Sequence, residues 1–241
     1  YISRFIDESF KNLGVRRSTK LMVVLGDSLD YCIGVVSKDN PNTSKRQYSI
    51  LRDYVSEGLT PITNIAMFTQ NVNAKRGDNI VTLGATDDSI PNEEITGSSQ
   101  DSELNPNSTT AGVERTGGLR AYYMGCAVFD GGTMKGVLSG RDTEIILMAK
   151  GMFRAGRITL HHEGGEGHMV LLLKGGGTPK VELSIEDDAP YAKMSVRLQC
   201  HIECGEEDMD YNKWNREVKP MLEDYMEREI ERVFTLCRGM N

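Results

Sequence analysis

Arg120 to Gly151 reads RAYYMGCAVFDGGTMKGVLSGRDTEIILMAKG, and this run decides the fold. Tyr123 to Phe129 is apolar and aromatic, the composition of a half-buried strand. Asp130-Gly131-Gly132 supplies a tight turn, because glycine takes positive φ without steric cost. Thr133 to Leu138 returns as the second strand. Gly140 breaks the pattern, and Asp142 or Thr143 can cap a short helix whose apolar side chains are Ile145, Ile146, Leu147, Met148 and Ala149. Gly151 suits a left-handed stop. No side chain here has the character of a nucleophile, a base or a metal ligand, so the run is scaffold.

On the N-terminal side, helices and strands alternate. Ser3 to Leu13 predicts a helix with Phe5, Ile6, Phe10 and Leu13 apolar, and Lys20 to Leu25 a buried strand. Gly26-Asp27-Ser28 then opens a helix with Ser28 as its cap, and Leu29, Cys32, Ile33 and Val36 fall at i, i+3, i+4 and i+7 on one face. A second helix is expected from about Ser44 to Glu57, burying Tyr48, Leu51 and Val55, with Gly58 as its end. Thr60-Pro61 predicts the start of a third, with Thr as cap and Pro at the first helical position. Asn79 to Leu83 is another strand. Residues 1–85 therefore predict a small mixed α/β domain.

Thr86 to Gly118 is different in kind. Its aliphatic side chains are Ile90, Ile95, Leu104, Ala111 and Val113, five in 33 residues. Such a segment cannot bury enough surface to offset the entropy of ordering it. It also carries 1 basic and 7 acidic residues, against 11 and 8 in residues 1–85 and 16 and 20 in residues 119–241. Residues 86–118 are expected to be an acidic polar linker or mobile loop.

On the C-terminal side, strands are expected at Arg157 to His162, His168 to Leu173 and Lys180 to Ile185, separated by glycine clusters as antiparallel hairpins require. Ala192 to Glu203 alternates, with Met194, Val196, Leu198, Cys200 and Ile202 on one side and charged or polar residues on the other. A closing helix runs from about Tyr211, or from Pro220, to Cys237, and Val233 and Phe234 belong to its buried side while Glu227 and Glu231 belong to its solvated side. Residues 119–241 thus predict an antiparallel sheet covered by a long helix. The fold class is α+β.

The chain of 241 residues carries a net charge of −7, which disfavours a nucleic-acid partner, whose phosphates select Lys and Arg. No apolar run approaches the roughly 20 residues of a membrane helix. The first residue is Tyr1, so a fragment or processed form is expected, and targeting segments of the full-length protein are not legible. Five cysteines, Cys32, Cys126, Cys200, Cys204 and Cys237, are odd in number and sparse, and predict small buried thiols rather than a disulfide framework.

Two constellations compete with the scaffold reading. His161, His162, Glu163, Glu166 and His168 are metal-binding types, but they fall on strand ends and a Gly-rich turn without the i, i+4 spacing that aims two imidazoles from one helical face. A metal-dependent enzyme using His161, His162 and His168 is the alternative they leave open. Cys200-His201-Ile202-Glu203-Cys204 would split across the two faces of a strand, with the cysteines inward, and cannot close on one ion. Gly164-Gly165 and Gly175-Gly176-Gly177 precede no helix that could hold a phosphate. No catalytic, cofactor-binding or metal residues are assigned, and no cofactor is expected. A solute-binding module remains a third reading.

Three stretches, in order, resemble a known family. They are LMVVLGDSLDYCIGVV (21–36), GCAVFDGGTMKGVLSGRDTEIILMAKG (125–151) and MLEDYMEREIERVFTLCR (221–238). They are similar to the strand and small-residue helix, the G-x-A-V-F hairpin with its short helix, and the charged C-terminal helix of the C-subunit lipoproteins of spore germinant receptors, the Ger(x)C type. The resemblance implies a soluble fragment covering the second and third family domains, without the lipid-modified N-terminal cysteine or the first domain. It implies a non-enzymatic role in spore germination. The full-length protein would be lipid-anchored at the outer face of the inner spore membrane and assembled with integral-membrane germinant receptor subunits. The family offers no catalytic residues to carry over.

Overall fold

The computed structural model describes residue 8 and residues 15–36, 42–74, 79–86, 121–161, 168–186, 189–204 and 213–240. The expected helix at Ser3 to Leu13, apart from Glu8, and nearly all of the expected linker at 86–118 lie outside the described residues. Among those described, the chain forms two compact units, residues 1–55 with 59–143 and residues 56–58 with 144–241.

The first unit is built on a four-stranded sheet, β1 (Met22–Leu25), β2 (Asn79–Thr86), β3 (Ala121–Asp130) and β4 (Thr133–Leu138), in spatial order β1-β2-β3-β4. β1 and β2 run parallel, and β2, β3 and β4 are antiparallel. The helices of this part are α1 (Ser28–Gly34), α2 (Thr43–Ser56) and α3 (Ile65–Ala74). β2 is buried along its whole length, as a central strand covered on both faces must be. One face packs Val81, Leu83, Ala127 and Phe129 with Phe68 of α3, and the Phe68 and Phe129 rings meet edge to face at 5.3 Å. On the other, Tyr31 and Val35 pack on Met22 and Val24.

The opening hairpin is as its sequence reads, with Gly131 at φ +54 in the turn. Its place in the molecule is not. β3 and β4 complete the sheet that β1 and β2 begin, so the expected domain boundary at residue 119 is replaced by a division inside α4 (Gly140–Ala149). The physical reason is pairing. β2 needs a hydrogen-bonded neighbour on each side, and β3 supplies the second from Asn79↔Phe129 to Thr86↔Ala121. Gly125 is required where it stands. Its φ is +117, and a Cβ there would lie 2.1 Å from the Leu138 carbonyl oxygen.

Local corrections follow from side-chain hydrogen bonds. Ser139 caps α4, not Asp142 or Thr143: Ser139 Oγ accepts from Asp142 N–H at 3.2 Å, and Asp142 Oδ2 accepts back from Ser139 N–H at 3.3 Å. Asp27 rather than Ser28 caps α1. Thr60 and Pro61 start no helix. Thr60 is buried and donates to the Gly125 carbonyl at 2.7 Å, while α3 begins later, with Asn64 accepting from Met67 N–H at 2.8 Å. Tyr48 of α2 is exposed, whereas Leu51 is buried as expected.

The second unit holds a three-stranded antiparallel sheet in spatial order β5-β6-β9, from β5 (Ala155–His161), β6 (His168–Gly175) and β9 (Leu198–Cys204). A separate two-stranded ribbon joins β7 (Lys180–Glu186) and β8 (Ala189–Ser195). Ile158, Leu160, Met169, Leu171 and Leu173 are the buried side of the sheet. The expected single strand Ala192 to Glu203 is therefore two strands in two sheets. A π-helical turn (Trp214–Val218) leads into α5 (Lys219–Gly239), whose Leu222, Met226 and Val233 are buried. Phe234, expected inside, is 37% exposed, while Glu227 and Glu231 are exposed as expected. Consecutive residues point about 100° apart on a helix, so Val233 and Phe234 cannot both face one sheet squarely.

Candidate functional site

The α1 helix presents the clearest surface feature. Asp27 Oδ1 accepts from Leu29 N–H at 2.6 Å and Asp30 N–H at 3.3 Å, which starts the helix where the chain leaves β1. Tyr31 and Val35, one turn apart, face the sheet. Leu29 and Ile33 lie two residues earlier on the spiral, roughly 200° around. Consequently the apolar side legible in the sequence is the solvent side: Leu29, Ile33 and Val36 are 66%, 62% and 61% exposed, and Cys32 is exposed with them. The charged residues of 21–36 are Asp27 and Asp30, both exposed, with no Lys or Arg.

Beneath α1 lies a tyrosine cluster. Tyr123 of β3 donates toward Gln47 of α2, with 2.9 Å to Oε1 and 3.1 Å to the carbonyl oxygen. Its ring stands edge-on to Tyr54 at 5.7 Å. Tyr31 is buried beside Tyr123, but its hydroxyl has no hydrogen-bond partner of good geometry. Burial, and after it the neighbouring Tyr123, pushes the Tyr31 phenol well above its usual range, and burial raises Tyr123 as well. Both phenols are neutral at physiological pH, as an ordinary tyrosine is.

In the second unit, Arg157 of β5 reaches across β6 to Glu203 of β9 with a two-pronged contact, Nε to Oε2 at 2.7 Å and Nη2 to Oε1 at 3.2 Å. Its third nitrogen, Nη1, binds Glu57. The Glu203 and Glu57 carboxylates raise the guanidinium pKa further. Gly58, at φ +72, lies against Phe153 and the Ala155 carbonyl, where a Cβ would approach to 2.8 Å. These contacts seat residues 56–58 in this unit. No sequence signal pairs Glu57 with a residue 100 positions away; only the alternation that puts Glu203 on the outer face of its strand was readable.

The metal-type residues do not assemble. No cluster of three or more His, Cys, Asp or Glu able to hold a metal ion occurs among the described residues. His161 and His168 are register partners on β5 and β6, while His162, Glu163 and Glu166 lie outside the described residues. His201 is exposed on β9, and Glu203 is occupied by Arg157. Cys200 is half-buried, and burial pushes its thiol up to about 11, far from a thiolate nucleophile. Cys204 and Cys32 are exposed, against the expectation of buried thiols: Cys204 closes β9, which is exposed toward its end, and Cys32 lies on the solvent side of α1. No described helix is long and apolar enough to cross a membrane.

Comparison with known proteins agrees with this assembly of parts. Residues 124–240 match the family described as spore germination B3/GerAC like, C-terminal. Over this segment, just under half of its length, the chain is similar to the GerAC-like spore germination family. Among solved structures, the crystal structure of the GerBC protein is similar with a TM-score of 0.62 at 14% identity, over 96% of this chain and 57% of that one. That likeness supports a shared mixed α+β fold, and the chain spans little more than half the length of GerBC. No curated protein matches the chain.

Proposed function

We propose that the protein is the non-enzymatic C subunit of a nutrient germinant receptor, acting by protein–protein assembly at the inner membrane of the spore. The family match over residues 124–240 carries this reading. The chemistry of the described residues supports it: buried tyrosines held neutral, a half-buried thiol held protonated, and carboxylates engaged by arginine. The full-length protein would be held at the outer face of that membrane by an N-terminal lipid and would assemble with integral-membrane subunits. It would carry no cofactor, no metal and no catalytic residue. Residues 86–118 would serve as a tether between strands of one sheet.

Deletion of the gene tests this. Spores lacking the protein should lose the response to at least one nutrient and keep the response to a non-nutrient trigger. An unchanged response to every nutrient that the parent spores recognise would remove the receptor reading.

A further inference from the structure

We infer that the outward face of α1 and of the turn that ends it, made by Leu29, Cys32, Ile33 and Val36, is a docking surface for an apolar, basic-flanked segment of a different protein chain. The partner's membership of the receptor rests on the function proposed above; the surface itself rests on its own geometry. Leu29 and Ile33 of α1, and Val36 just past its C-cap Val35, are each more than 60% exposed and follow i, i+4 and i+7 spacing. Isolated exposed aliphatics are ordinary, but a contiguous stripe marks a contact. The residues that anchor the helix, Tyr31 and Val35, already face inward, so no rotation of α1 could bury the stripe without exposing them.

Charge selects among the possible occupants. The exposed charges of residues 21–36 are Asp27 and Asp30, with no basic residue among them. Anionic lipid attracts helices with Lys and Arg beside the apolar stripe, and this helix has carboxylates there. A second copy of the chain would set these carboxylates against their own equivalents across a two-fold axis. A heterologous segment with apolar residues next to Lys or Arg satisfies both the stripe and the carboxylates.

The test uses full-length protein in dormant spores, with Ile33→Asp, Asp30→Lys and, on α5, Glu227→Lys. The readout is co-purification with the integral-membrane receptor subunits from detergent-solubilised spore membranes. Immunoblot levels and the circular dichroism of the purified variants check folding. Ile33→Asp is expected to cut co-purification at least tenfold and Asp30→Lys severalfold, with Glu227→Lys unchanged. Wild-type recovery by Ile33→Asp overturns the docking surface and leaves the receptor reading standing. Failure of the wild-type protein itself to co-purify overturns both. Two further outcomes overturn the chosen occupant: binding of wild-type chain to phosphatidylglycerol vesicles that Ile33→Asp abolishes, or a wild-type dimer that Ile33→Asp converts to monomer.

Discussion

Single residues carry unequal loads in this chain, and two make sharp predictions. Gly125 combines φ +117 with a site where a Cβ would sit 2.1 Å from the Leu138 carbonyl oxygen. Gly125→Ala must therefore strain the backbone and part β3 from β4, costing about 3 kcal/mol or more. A denaturation midpoint within error of wild type would refute that. Tyr31 and Tyr123 make the second prediction. Their folded pKa values are raised mainly by burial, so above the ordinary tyrosine value of about 10 the unfolded phenols ionise while the folded ones do not. Stability is thus fully present below that pH and lost as pH rises beyond it. The melting temperature should fall steeply above about pH 10, and Tyr31→Phe should flatten the fall. Because the Tyr31 hydroxyl is buried without a good partner, the same variant should be no less stable than wild type at pH 7.

At the level of elements, α5 and the Arg157 contacts separate burial from decoration. Val233 is fully buried and Phe234 is 37% exposed. Val233→Ala should cost about 2–3 kcal/mol, and Phe234→Ala should cost less despite the larger side chain. The reverse order would mean that α5 is rotated from its described orientation. Arg157, Glu57 and Glu203 are all substantially exposed, so Arg157→Ala should cost under about 1 kcal/mol, most of it lost in 1 M salt. Much of this scale was legible. Tyr123 to Leu138 announced its hairpin through Gly131, and Pro220 marked the start of the long helix. The rest was not legible, because periodicity identifies an apolar face but not what covers it. Leu29, Ile33 and Val36 have a core-like spacing and stand in solvent, while Ala192 to Glu203 alternates smoothly through a change of sheet between Ser195 and Leu198.

For the whole molecule, local sequence reading failed where pairing is long-range. The acidic segment 86–118 looked like a domain boundary by composition, yet β2 and β3 on either side of it pair along their full length. Register between strands separated by more than 30 residues leaves no local trace in a sequence. The candidate site shared this fate: the stripe of α1 was visible as a pattern, and its exposure was not. The family resemblance, by contrast, was legible in ordered motifs, two of which, 125–151 and 221–238, lie within the matched segment 124–240, and it directs attention to assembly rather than chemistry. The most direct measurement is therefore the composition of the complex recovered with the tagged full-length protein from dormant spore membranes. Stoichiometric recovery of the integral-membrane receptor subunits is the expected result. Recovery of the protein alone, under conditions that keep those subunits associated with each other, would contradict a receptor-subunit role.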